Sequence, residues 1–264
     1  MKIICLVKFI PDVENIQFDH KKNVLMREQA KLTINPDDET AIAVALKIKE
    51  QAPETLVEII TMGPKVVMRK FQDLLRRDVD KGILISDPLY VGSDTYATSR
   101  ILGKYLKTRK ADYIFTGTHS LDGDTSHVPA QIAEILGSCH MNNVITLDID
   151  QLFQGTALLR VNNEGNTLQF QMNPPGIISF EKSREYKMPY IRYEDFQRDV
   201  SDKMEILTNQ DLGLKEEEVG LAGSLTEVSR TFMKEIAQKD SITVKNDEEG
   251  IEAVYQFLKE KGYV

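Results

Sequence analysis

The chain has 264 residues, with 33 Lys+Arg against 41 Asp+Glu, a formal net charge of −8. A content of 41% hydrophobic and 28% charged residues excludes disordered, collagen-like and coiled-coil classes. The acidic balance excludes nucleic-acid binding through the overall field, and leaves open a nucleotide held by backbone groups.

Ile3-Ile4-Cys5-Leu6-Val7, ended by Lys8 and Pro11, reads as a fully buried strand. Charge returns at Lys8 with no small-residue cleavage site, which argues against a signal peptide. Ile16 to Asp19 and Asn23 to Met26, on either side of His20-Lys21-Lys22, read as a hairpin. Asn35-Pro36-Asp37-Asp38-Glu39 marks a helix start, with Asn35 as cap, Pro36 in the first turn and acids at the positive dipole end. That helix is expected to reach about Gln51.

A strand–helix rhythm follows: strands over 56–62, 82–85, 113–116 and 144–148, helices over 65–77, 95–108 and 125–136. It predicts βαβ units on an open, mostly parallel sheet with helices on both faces, a Rossmann-like α/β fold. Ligands in such sheets sit beyond the strand carboxyl ends, which directs attention to residues 9–12, 62–64, 87–94 and 117–128. Thr156 to Val161 and Thr167 to Met172, joined by Asn162-Asn163-Glu164-Gly165-Asn166, read as a β-hairpin, and Ile177 to Phe180 as a last core strand. Residues 1–193 form the expected α/β domain; 194–264, charged and ending in an amphipathic helix over 248–261, read as an arm that packs on another subunit.

The richest loop is Gly117-Thr118-His119-Ser120-Leu121-Asp122-Gly123-Asp124-Thr125-Ser126-His127-Val128. It leaves a buried strand and opens a helix, so its last amides and the Thr125 and Ser126 hydroxyls suit a phosphate, while Gly123 permits close backbone approach. The competing reading is a solvated turn in which Asp124 caps the helix. Asp87, Asp94, Asp122 and Asp124 suggest a hard cation, but their spacing matches no calcium loop, and surface acids near helix starts are usually capping groups. His119 and His127 have the chemistry of general bases, yet no GxSxG, HExxH or Walker pattern accompanies them. Lys8 reads as an anion ligand or a snorkelling edge lysine, Gly63-Pro64 as a turn over a ligand or a plain strand-to-helix loop. Tyr186, Met188 and Tyr190 read as anchors for a partner protein or as packing on the chain's own surface. Cys5 and Cys139 lie far apart without further ligands at spacing, so no zinc site or disulfide is expected, and a reducing cytoplasm is the expected compartment. No run of ~18 apolar residues predicts a membrane span.

In order along the chain, Val7-Lys8, Asn35 to Ala41, Gly63-Pro64, Gly92-Ser93-Asp94-Thr95, Gly117 to Thr125, Val219-Gly220-Leu221-Ala222-Gly223-Ser224-Leu225-Thr226-Glu227-Val228 and the closing Lys259 to Val264 resemble the beta subunit of an electron transfer flavoprotein. The resemblance implies a heterodimer with an alpha subunit that carries FAD and serves an acyl-CoA-type or other flavin dehydrogenase. It also implies an adenine nucleotide in this subunit: structural AMP in ordinary carriers, or a second FAD that accepts hydride from NADH in bifurcating members. The loop 120–125, Gly223-Ser224-x-Thr226 and the terminal helix resemble the anaerobic, bifurcating branch more closely.

By the resemblance the nucleotide pocket comprises Leu6, Asn35, Pro36, Asp37, Asp38, Met62, Gly117 through Val128, Gly223, Ser224 and Thr226, and partner docking falls to Lys187, Met188 and Ile191. Three segments depart from the family pattern. Ser126-His127-Val128-Pro129-Ala130 stands where a small residue and QVGP are usual, and Arg76-Arg77-Asp78-Val79-Asp80 where a small Gly-Ala-Asp turn is usual. Glu185 to Ile191 replaces an acidic-proline-arginine stretch, and Lys187 does not reproduce the paired hydrogen bonds of an arginine. The altered 126–130 segment motivates an alternative, a nucleotide-binding module that carries no electrons.

Overall fold

The computed structural model describes residues 1–12, 18–19, 24–25, 32–227 and 243–264. Two compact units result, Met1–Glu227 and Val228–Val264.

In the first unit β1 (Lys2–Leu6) is followed by β2 (Phe9–Pro11), the short pair β3 (Phe18–Asp19) and β4 (Val24–Leu25), and β5 (Leu32–Ile34). β2 pairs antiparallel with β5, and β3 with β4. The remainder of the hairpin expected around His20 lies outside the described residues. Then come α1 (Pro36–Gln51), β6 (Leu56–Met62), α2 (Met68–Leu75), β7 (Lys81–Ile85), α3 (Thr95–Leu106), β8 (Tyr113–Gly117) and α4 (His127–Leu136). The chain continues through β9 (Cys139–Asp148), α5 (Ile149–Phe153), β10 (Ala157–Asn163), β11 (Asn166–Met172), β12 (Gly176–Phe180), β13 (Met204–Leu207) and α6 (Asn209–Leu212).

Nine strands form one sheet in the order β11-β10-β9-β12-β8-β1-β6-β7-β13. The seven strands from β9 to β13 run parallel to one another; β10 and β11 add the antiparallel hairpin at one edge, β10 pairing antiparallel with β9. Its turn uses Glu164 and Gly165, both at positive φ (49° and 85°), as a two-residue hairpin connection requires.

Strand alternation divides the core into two layers. Ile3, Cys5, Val57, Ile59, Leu84, Phe115 and Phe180 pack with α1 and α2, whereas Ile4, Ile60, Ile83, Ile114 and Ile177 pack with α3 and α4 on the other face. Central strands are therefore apolar at every position, the reason they read as continuous runs rather than alternating ones. At roughly 1.5–3 kcal/mol per buried aliphatic side chain, this two-sided burial is the main stabilising term.

Two features differ from the sequence reading. β9 begins at Cys139 rather than Val144, because its first half, Cys-His-Met-Asn-Asn, is polar and only half-buried while still pairing with β12. The first compact unit runs to Glu227 rather than ending near Tyr193, since Met204–Leu207 pairs in parallel with β7 and closes the sheet edge. In the second unit α7 (Glu248–Glu260) is capped by Asp247, which accepts from the Gly250 amide at 2.9 Å, and leaves Ile251, Val254, Tyr255 and Phe257 exposed.

Candidate functional site

The carboxyl ends of β1, β6 and β8 and the amino ends of α3 and α4 surround a cleft of about 350 Å³. Leu6, Ile60, Met62, Leu102 and Val128 make its apolar wall; Ser93, Thr95, Thr98, Thr116, Thr125 and Ser126 add hydroxyls.

The start of α1 holds the cleft together. Asp38, 7% exposed, accepts from the Lys8 amide at 2.8 Å through Oδ2 and from the Gly117 amide at 2.8 Å through Oδ1, tying the ends of β1 and β8. Burial pushes its carboxyl up to about 7, against these two amides. Asp37 is also raised by burial, opposed by His119; it accepts from the Lys182 amide at 2.9 Å and lies 2.9 Å from His119 Nδ1. Asn35 occupies the cap position but makes no side-chain cap bond; instead it donates to the His119 carbonyl at 2.7 Å and accepts from the Leu121 amide at 3.3 Å. Gly117 is required here, because a Cβ on it would stand 2.4 Å from Asp38 Oδ1.

The loop before α4 departs from the expected cap. α4 starts at His127, two residues later than the sequence suggested, and its cap residue is Ser126, in a left-handed conformation (φ 54°) with no side-chain cap bond. Asp124, itself at φ 47°, is largely exposed and caps nothing; its amide donates to the Ser120 carbonyl at 2.7 Å. The first-turn amides at His127 and Val128 thus lack an intrahelical acceptor and a capping side chain, the condition for an anion at a helix start. Lys8 is neither a free anion ligand nor a snorkelling lysine: its Nζ reaches Asp122 Oδ1 at 2.8 Å and Ser120 Oγ at 3.2 Å. Although burial opposes it, Lys8 holds the Asp122 carboxyl below its ordinary range, with Ser120 assisting.

Across the cleft, Asp94 caps α3 by accepting from the Ala97 amide at 2.9 Å. Its second oxygen accepts from the Leu225 amide, the Thr226 amide and the Thr226 hydroxyl, each at 2.9 Å, while its own amide donates to Ser224 Oγ at 2.8 Å. These bonds keep Asp94 low despite the opposing effect of burial. Gly223 makes the turn possible, since a Cβ there would meet the Glu218 carbonyl carbon at 2.2 Å. From Thr116 in the cleft lining, Thr116 Oγ1, Ser179 Oγ and His140 Nε2 form a chain with spacings of 2.7 and 2.8 Å, and burial lowers the His140 pKa.

Of the residues expected at the pocket, Leu6, Asn35, Asp38, Met62, Gly117, Thr118, His119, Ser120, Gly123, Thr125, Ser126, His127 and Val128 line the cleft. Pro36, Asp37, Leu121, Asp122, Asp124, Gly223, Ser224 and Thr226 do not line it, and several of them tether its walls. Ile60, Thr98 and Leu102 line the cleft without having been expected there, and Ser93, Asp94 and Thr95 line it although the expected pocket set did not include them. Ser93 to Thr95 carried a signal, lying after a strand at a helix start; Thr98 and Leu102 are one and two turns further along α3 and become visible only once the helix is placed. Gly63 and Pro64, which follow the cleft-lining Met62, make a strand-to-helix loop and do not themselves line the cleft.

Of the residues expected at a partner, Tyr186 is buried in the chain's own core, with its hydroxyl on the Leu147 backbone, and Met188 packs beside that core. Lys187 is exposed, Ile191 half-buried, and Tyr190 and Tyr193 are 95% and 99% exposed. Arg77 Nε donates to the Pro189 carbonyl at 3.0 Å and Arg76 Nε to the Arg198 carbonyl at 3.1 Å, so the two arginines hold both ends of this segment. Among the described residues no helix is long and apolar enough to cross a membrane, and no group of three or more His, Cys, Asp or Glu is arranged to hold a metal ion.

The donor set fits an adenine nucleotide: uncapped amides and hydroxyls for phosphate, an apolar wall for a flat ring. The family model described as electron transfer flavoprotein domain matches residues 22–175. The electron transfer flavoprotein subunit beta of Clostridium acetobutylicum is 29% identical over 265 residues, covering 100% of each chain. The caffeyl-CoA reductase-Etf complex subunit CarD of Acetobacterium woodii is 30% identical, covering 88% of this chain and 87% of the relative. The acryloyl-CoA reductase electron transfer subunit gamma of Anaerotignum propionicum is 27% identical, covering 99% of each.

Proposed function

The chain belongs to the electron transfer flavoprotein family as a beta-type subunit, and from that premise we propose that its cleft holds FAD, in a heterodimer with an alpha subunit that carries a FAD of its own. The observation that carries the site is the uncapped start of α4 opening onto an apolar cleft at the strand carboxyl ends. The Ser126, His127 and Val128 amides, with the Thr125 and Ser126 hydroxyls, would hold its phosphate, and Leu6, Met62 and Leu102 would supply the apolar wall for its ring system. Bound flavin supplies the electron-transfer chemistry, and the protein's part is to position it and exclude water. The alpha partner and a CoA-ester reductase or dehydrogenase as client are supported by the names of the relatives from Clostridium, Acetobacterium and Anaerotignum. Hydride acceptance from NADH, as in bifurcating members, belongs to the same reading, as does a cytoplasmic setting.

A second reading, structural AMP in this cleft and a single flavin per heterodimer, is favoured by the cleft's size. At about 350 Å³ it lies near the low end of the roughly 300–1,000 Å³ of small-molecule sites. Pro129, which adds no amide to the first turn of α4, argues in the same direction. Denaturing the co-expressed heterodimer and quantifying released nucleotides separates the readings. Two FAD and no AMP per dimer is the expected result; one FAD with one AMP establishes the second reading; no flavin overturns both and leaves a non-redox nucleotide-binding module.

A further inference from the structure

A second cleft, of about 470 Å³, opens at the opposite end of the sheet, among the residues that follow α3, those that follow α4 and the Pro174-Pro175-Gly176 approach to β12. Its floor is apolar, with Ile4, Leu106 and Ile114; its rim carries Lys107, Arg109 and Lys110. Lys107, Arg109 and Lys110 place three cations within four residues. Lys107 and Lys110 are exposed, and among the described residues none of the three has a carboxylate within ion-pair distance. Arg109 is stacked on Tyr105, with its guanidinium carbon 4.6 Å from the ring centroid, and its buried Nε has no hydrogen-bond partner among the described residues. Asp112, the acid of this rim, is engaged by the Lys2 amide at 2.7 Å.

Unpaired cations around an apolar floor offer what an amphiphilic anion needs. A phosphate monoester, with a charge between about −1.5 and −2 at neutral pH, uses all three cations, whereas a single carboxylate is satisfied by one arginine. We propose that this amino-end cleft is a second ligand site, taking a small phosphorylated compound whose phosphate lies on Lys107, Arg109 and Lys110 and whose apolar body lies on Leu106 and Ile114. The site is independent of the nucleotide reading of the first cleft.

The test is titration of the full chain with phenyl phosphate in the presence of saturating AMP, followed by ³¹P line broadening. Saturable binding is expected, weakened at least roughly tenfold in the double variant Lys107→Gln/Lys110→Gln and in Arg109→Gln, and unchanged in Lys8→Gln at the first cleft. The two lysines are exposed, so the double variant folds even where Arg109→Gln does not. Inorganic phosphate is expected to bind more weakly than phenyl phosphate; equal affinity overturns the role of the apolar floor. No saturable binding, binding that survives the double variant, or binding lost in Lys8→Gln overturns the site.

Discussion

Asp38 shows how one side chain sets the geometry of the cleft. Its two oxygens accept from the amides of Lys8 and Gly117. Asp38→Ala leaves two buried donors unpaired and is expected to cost about 3 kcal/mol in urea unfolding, with weaker nucleotide retention. The acid also makes stability depend on pH. Its folded pKa, about 7, exceeds the ~4 of an unfolded aspartate, so the folded state binds the proton more tightly and stability falls as pH rises from about 4 to 7. Asp38→Asn removes this dependence: the deficit of the variant against the parent chain shrinks across that window. A deficit constant from pH 4 to 7 would contradict the raised pKa. Gly117→Ala is expected to push α1 away from β8 and to weaken nucleotide binding more than it lowers secondary structure by circular dichroism, because its Cβ would collide with Asp37 and Asp38.

At the scale of elements, two loops are held by groups distant in sequence. Asp94 at the start of α3 fixes residues 224–226 with four bonds, so Asp94→Ala is expected to raise amide exchange of residues 219–227 while leaving the parallel strands protected. The end of α2 does the same for residues 189–198. There the Arg76-Arg77 and 185–191 segments, both outside the family pattern, are in contact: the Arg77 guanidinium donates to the Pro189 carbonyl, and that of Arg76 to the Arg198 carbonyl further along. Arg76→Ala/Arg77→Ala is expected to increase proteolytic cleavage near Tyr190 and Tyr193 and to slow partner association. Global stability should change by no more than about 1 kcal/mol, since these bonds are partly solvated. Unchanged cleavage in the double variant would mean that the segment holds its shape without them.

Over the whole molecule, the edge strand β13 and the contacts of residues 218–226 make Glu227 the physical end of the first unit. A chain cut after Glu227 is expected to keep the urea midpoint of the full chain but to lose co-purification with an alpha subunit, because α7 and its exposed Ile251, Val254, Tyr255 and Phe257 are gone. A cut after Tyr193 is expected to lower the midpoint as well, by exposing the edge of β7 and freeing Asp94 from residues 224–226. Retained co-purification after the Glu227 cut would remove α7 from the subunit contact.

The amino-acid sequence by itself determined the architecture. Ile3 to Val7, Leu56 to Met62 and Ile177 to Phe180 are apolar on both faces, and only a strand covered by helices on both sides buries such runs; Gly and Pro punctuation between them left little choice of topology. The sequence also marked residues 117–128 as the principal site loop, because its place after a strand and before a helix is a local property. What the tertiary structure decided is which of those side chains face the cleft. Asp37, Asp38 and Asn35 look alike as helix-start residues, yet their work is to bind amides 30 to 145 positions away, and Asp124 yields the cap position to Ser126. Thr98 and Leu102 enter the cleft only because α3 crosses it. Local pattern reports periodicity and caps; long-range hydrogen bonds and the approach of one helix to another strand follow from packing, and no short window of sequence contains them.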